Sequence, residues 1–191
     1  MLMNFLNKYN NKKNIRFSLF KKTLEIAMAR ESKVIVETGT SRGKKKFLFF
    51  KKFNWKDGMS TLMFSEFAHF INGELHSCDI SAENINNAKD FTKEYNNNVN
   101  FYIKDSIIFL KEFHKKIDLL YLDSFDGHDV ELASKHQLNE AKAVIDKLKV
   151  SSLILLDDKG AKTLYSKDYF IKDGFKILVE TENQLLLSKM L

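Results

Sequence analysis

Short apolar runs alternate with segments of helical period along most of the chain, and each central run ends at an acid. Val34-Ile35-Val36 leads into Glu37-Thr38-Gly39, and Leu75 to Ile80 carries Asp79. Val99 to Ile103 is followed by Asp105-Ser106, Ile117 to Leu122 by Asp123, and Ser152 to Leu156 by Asp157-Asp158. Between them, residues 17–30, 60–71, 81–95, 106–114 and 129–148 repeat their apolar positions at helical spacing, with Ser60 and Ser81 placed as N-caps. Ile117 to Leu122 is apolar throughout, as a strand covered on both faces must be. Phe175–Val179 and Gln184–Ser188 flank Glu180-Thr-Glu-Asn and read as a terminal antiparallel pair. Strands and helices alternating in this way predict a three-layer α/β/α sandwich on a mostly parallel sheet.

In such sheets the ligand lies outside the carboxyl ends of the strands. The acids that end these strands are therefore the first candidates for binding. Asp and Ser also cap helices that follow strands, so a capping role for Asp79 and Asp105 stands beside the binding one.

The formal charge of +6 is unevenly placed. Residues 1–58 hold 15 Lys/Arg against 4 Asp/Glu, and residues 59–191 hold 16 against 21. Lys outnumbers Arg 28 to 3, a bias that AT-rich coding produces, so the lysines read either as solvated drift or as a surface for an anionic partner. The single cysteine, Cys78, excludes a disulfide framework and a multi-Cys zinc site. With no apolar stretch of about 18 residues and no signal-type leader, a soluble, cytoplasmic protein without membrane contact is expected. The 191 residues suit one domain, with residues 1–32 as a helical extension.

The ordered set Glu37-x-Gly39-x-Ser41-x-Gly43, strand-terminal Asp79, Asp105-Ser106 and Leu122-Asp123 resembles the class I S-adenosylmethionine-dependent methyltransferases, from about Lys33 to Leu191. The resemblance implies a Rossmann-like, seven-stranded sheet with its last strand reversed. It implies that Gly39, Thr40 and Ser41 form the cofactor turn and that Glu37 holds the methionine amino group. Asp79 would accept from the ribose hydroxyls, Ile80 would lie on the adenine, and Asp105, assisted by Ser106, would receive the adenine amine. The absence of proline removes the Asp/Asn-Pro-Pro-aromatic loop of base-amino methyltransferases and the Pro-Cys nucleophile of cytosine-C5 enzymes.

One departure stands out. Glu37 and Asp79 are 42 residues apart, where about 20 is usual for Rossmann spacing. The excess is a basic and aromatic insert over residues 42–57, after which Gly58-Met59-Ser60-Thr61 resumes the turn. Ser60 and Thr61, at a helix start, are candidates for the cofactor carboxylate. The insert carries seven cations and five aromatics, which fits either a lid over the cofactor or a nucleic-acid surface along Lys44–Lys52.

For the chemistry, the resemblance extends to catechol-type and sugar O-methyltransferases. It implies Asp123, Asp157 and Asp158 as oxygen ligands for Mg²⁺, with Asp123 and His128 catalytic and His136 a second imidazole on the following helix. A small-molecule acceptor is expected. Two alternatives remain: RNA ribose 2′-O-methylation, with Asp123, Lys159 and Glu180 in a Lys-Asp-Lys-Glu arrangement, and a non-catalytic binding module.

Overall fold

A computed structural model describes residues 4–47, 50–57 and 59–190. In chain order the elements are α1 (Phe17–Ala29), β1 (Val34–Thr38), β2 (Lys44–Phe47), β3 (Phe50–Phe53), α2 (Ser60–Phe70), β4 (Glu74–Asp79), α3 (Ala82–Thr92) and β5 (Val99–Ile103). They continue with α4 (Ser106–Glu112), β6 (Ile117–Leu122), α5 (Val130–Val144), β7 (Leu148–Leu156), α6 (Ser166–Lys172), β8 (Lys176–Glu180) and β9 (Leu185–Ser188).

Seven strands form one sheet in the order β5-β4-β1-β6-β7-β9-β8. β5, β4, β1, β6 and β7 run parallel, and β9 runs antiparallel to both of its neighbours. The side-chain period of two divides the sheet's apolar residues between two layers. Leu119, Tyr121, Leu153, Leu155 and Leu186 join one core with Leu19, Phe20 and Leu24 of α1, Met63, Phe64 and Phe67 of α2, and Ala88 of α3. Leu120, Leu122, Ile154, Leu156, Leu185 and Leu187 join the other with Phe109 and Leu110 of α4, Ala141 and Val144 of α5, and Phe170 of α6. The sandwich read from the sequence is therefore the fold, with the terminal pair at one edge of the sheet.

Two local expectations are corrected. The insert, read as a loop, contains a two-stranded antiparallel ribbon in which Lys45 faces Lys52 and Lys46 faces Lys51. Leu48, Phe49 and Gly58 lie outside the described residues. Ser60 does not cap α2. The capping position falls to Met59, in the left-handed region at φ 52°, and the Ser60 hydroxyl is used elsewhere. Ser81 does cap α3, accepting from the Asn84 amide at 3.3 Å. Among the described residues no helix is long and apolar enough to cross a membrane.

β1 lies between β4 and β6, so the strand order switches there and a crevice opens at the carboxyl ends. Backbone hydrogen bonds tie these ends together: Gly39 donates to the Cys78 carbonyl, Asp123 to Thr38 and Asp157 to Leu122.

Candidate active site

The crevice is a cavity of about 590 Å³ whose wall includes Gly39, Thr40, Ser41, Asp79, Ile80, Asp105, Ser106, Asp123 and Asp158. With His136, ten of the sequence-selected residues thus meet in one place, although they span 120 positions of chain. Gly39 makes the convergence sterically feasible. It sits at φ 84°, and a Cβ there would stand 2.3 Å from the Asp123 carbonyl oxygen. Any side chain would drive β1 and β6 apart where the cavity begins.

Asp79 is held by three donors. Ser81 N–H reaches Oδ1 at 2.8 Å, while Thr40 N–H and the Asn84 side-chain amide reach Oδ2 at 3.1 Å. A carboxylate offers about four lone-pair sites, so the group is fixed in place and one strong acceptor position is left for a ligand. Ile80, next in chain, lines the cavity with 75% of its surface exposed, an apolar platform that a planar ligand would cover. Asp105 is also a helix cap, since Oδ1 accepts from the Ile107 and Ile108 amides at 3.0 Å. Both donors fall on Oδ1, so capping and ligand binding are compatible uses of one side chain.

Ser106 Oγ lies 2.9 Å from His136 Nε2, and the His136 ring stacks on Phe125 at 5.2 Å between centroids. Behind them Ser124 donates to Glu140 Oε1 at 2.6 Å. Phe125 and Asp158 both line the cavity with left-handed backbones, at φ 61° and 49°, and such strain concentrates at functional sites.

Glu37, Ser60 and Thr61 were expected at the cofactor, yet none of them lines the cavity. Glu37 is fully buried and collects three hydroxyl donors: Ser60 Oγ at 2.6 Å on Oε1, with Thr61 Oγ1 at 2.8 Å and Ser77 Oγ at 2.6 Å on Oε2. Burial pushes this carboxyl up to about 7 against the pull of those hydroxyls. The same hydroxyls brace the turn, because Ser41 N–H donates to Thr61 Oγ1 at 2.8 Å and Thr61 N–H to Ser41 Oγ at 3.1 Å. Glu37 therefore acts on the turn from behind it. The long insert between the turn and α2 explains this, because α2 reconnects to β1 through side-chain hydroxyls instead of through a continuous glycine turn.

His128 is exposed and stands outside the cavity wall. The imidazole that lines the cavity is His136. Lys159 pairs with Glu180, and neither lines the cavity, so the Lys-Asp-Lys-Glu arrangement is not assembled.

Asp123, Asp157 and Asp158 do come together, each offering an oxygen within 4.8 Å of the others. They do not fit a divalent ion as they stand, because two cationic side chains, Arg16 and Lys162, already sit among their oxygens. Arg16 Nε reaches both oxygens of Asp157 at 2.8 Å, and its Nη2 reaches Asp158 Oδ1 at 2.7 Å. Lys162 Nζ lies 2.7 Å from Asp123 Oδ1 and 3.0 Å from Asp158 Oδ2. Tyr121 donates to Asp123 Oδ2 at 3.1 Å. Burial and the neighbouring Asp123 push the Asp157 carboxyl above its ordinary value, although Arg16 opposes this. Burial also works against the Lys162 charge, but the Asp123 and Asp158 carboxylates outweigh it and hold the ammonium above its ordinary value.

Arg16 and Lys162 escaped the sequence reading, and each left a signal. Two of the three arginines in this lysine-rich chain, Arg16 and Arg42, line the cavity, as suits a side chain whose planar fork serves several acceptors at once. Lys162 follows Asp158 by four residues, and its amide bonds back to the Asp158 carbonyl at 3.0 Å in a turn. Arg42 pairs with Asp126 across the cavity wall.

The fold is that of the SAH-bound Podospora anserina methyltransferase PaMTH1, with a TM-score of 0.67 and 14% identity over 98% of this chain and 88% of that one. The precorrin-6y C5,15-methyltransferase of Geobacter metallireducens GS-15 is similar at TM-score 0.61 and 15% identity, covering 93% and 90% of the two chains. The N-methyltransferase NodS of Bradyrhizobium japonicum WM9 reaches 0.61 at 10% identity, covering 93% and 96%. No curated protein matches the sequence. The family profile described as "Methyltransferase domain" matches residues 55–159, more than half of the chain and the stretch that supplies most of the cavity wall. The chain belongs to that methyltransferase domain family.

Proposed function

We propose that this protein transfers a methyl group from S-adenosylmethionine to an oxygen of a small, hydroxyl-bearing, sugar-like acceptor. The observation that carries the reading is the make-up of one cavity wall. A glycine turn, a fixed carboxylate at Asp79, the apolar Ile80 and the acid Asp105 line it together with Asp123, Arg16 and Lys162. A volume of about 590 Å³ lies in the range of small-ligand sites and limits the acceptor to a compact group beside the cofactor.

When bound, the cofactor supplies a sulfonium methyl as the electrophile. The protein's share is to orient the acceptor, take its proton and exclude water. Asp79 and Ile80 hold the nucleoside half, and Asp105 with Ser106 meets the base edge. Asp123 lines the same cavity, its carboxylate kept in place by Lys162 and Tyr121. It is the group placed to accept the acceptor's hydroxyl proton.

The fold does not choose the acceptor atom, since its neighbours include a C- and an N-methyltransferase. Asp123 favours oxygen because a hydroxyl must lose its proton during transfer, which a carboxylate within reach can take. One observation favours a second reading, RNA methylation: two of the four cross-strand pairs of the β2–β3 ribbon set lysine against lysine. Lysines gathered at paired register positions of one ribbon suit a polyanionic partner.

The test is incubation with methyl-labelled cofactor and two acceptor pools, polyhydroxylated small molecules and total RNA, with Asp123→Asn as control. Label in a small-molecule methyl ether, lost in the variant, supports the proposal. Label retained on RNA overturns it in favour of the second reading, and label on nitrogen or carbon overturns the oxygen assignment.

A further inference from the structure

The acidic cluster at the acceptor end has the composition of a site for a hard divalent cation, three carboxylates on two adjacent strand ends. What occupies it is protein. Lys162 Nζ sits among three oxygens: Asp123 Oδ1 at 2.7 Å, Asp158 Oδ2 at 3.0 Å and the Asp123 carbonyl at 3.4 Å. An ammonium has three donors, so this one is saturated. It is only 3% exposed and still lines the cavity. Arg16 closes the other side, spending Nε on Asp157 and Nη2 on Asp158, while its Nη1 donates to the Lys56 carbonyl at 3.2 Å. One turn after β7 delivers both Asp158 and Lys162, so the cation is built in with the acid that holds it.

We propose that Lys162, backed by Arg16, is the resident cation of this cluster, and that it does at the acceptor end what a divalent ion would do. It fixes Asp123 and places a positive charge beside the acceptor oxygen as the proton leaves. The protein then has no divalent site, and methyl transfer runs without one. Lys162 is on this view a positioning residue. The inference rests on the proposed methyl transfer only for the word acceptor, since the cation assignment stands on the cluster itself.

Mn²⁺ titration followed by its paramagnetic resonance signal tests this, with SAH calorimetry run on the same samples. The wild type and Lys162→Arg should leave the free Mn²⁺ signal unchanged. Lys162→Met, which removes the ammonium but keeps the length of the side chain, should gain one Mn²⁺ site and bind at least about tenfold more tightly than wild type. A single Mn²⁺ site in the wild type overturns the proposal, as does a folded Lys162→Met that binds no better than wild type. If Lys162→Met fails to fold, the wild-type and Lys162→Arg titrations decide alone. The two readings fail separately: absent SAH binding sinks the methyltransferase function, whereas SAH binding together with wild-type Mn²⁺ binding sinks only the resident cation.

Discussion

Replacing Glu37 by glutamine removes a buried ionisable group and keeps its shape. The amide oxygen can take the place of Oε2, which accepts from Thr61 and Ser77, leaving the amide nitrogen towards Ser60, whose hydroxyl can turn to Ser41. The wild-type carboxyl moves from 4.5 to about 7 on folding, chiefly through burial. A carboxyl raised in the folded state contributes its full stability below the unfolded value and loses it as pH rises through the folded value. Between pH 5 and pH 8 the wild type should therefore lose roughly 2–3 kcal/mol that Glu37→Gln keeps, at about 1.4 kcal/mol per pH unit across the window that remains. The assay is urea denaturation of both proteins across that range, read as the difference of their stabilities. His76, Asp157 and Glu140 also carry shifted values, but they are common to both proteins and cancel in the difference. Parallel stability curves for the two proteins would refute the reasoning, because they would mean that the three hydroxyls fully compensate the buried charge.

Asp79→Asn should weaken SAH binding by about tenfold to a hundredfold in calorimetry, the range expected for one hydrogen bond to a charged group. Unchanged affinity would remove Asp79 from the cofactor half of the cavity. Gly39→Ala should destabilise the protein by roughly 2 kcal/mol or more, from backbone strain and the 2.3 Å approach to the Asp123 carbonyl, and should abolish SAH binding even where the chain remains folded. A Gly39→Ala protein with wild-type melting and affinity would show that the turn can open without cost.

The strand and helix alternation was legible because each element's periodicity is local, and the acids at the strand ends followed from the same pattern. The residues that misled were those whose partners are remote in sequence. Ser60 has the form of an N-cap, but across 23 residues Glu37 offers its hydroxyl a better acceptor in a place without water. His128 lies closer to Asp123 in sequence than His136 does, yet the turn after β6 leaves it exposed while the first turns of α5 carry His136 to the cavity.

The sequence by itself determined the layers and the strand ends that line the candidate site. Only the tertiary structure decided the charge state of that site. Three carboxylates read along the chain are free ligands. Folded, they are ion-paired with Arg16, 141 residues away from Asp157 in sequence, and with a lysine that a turn folds back over the strand end. Periodicity is a property of neighbours in the chain. Ion pairing in a desolvated crevice depends on which groups meet through space, and that is fixed only once the sheet is assembled.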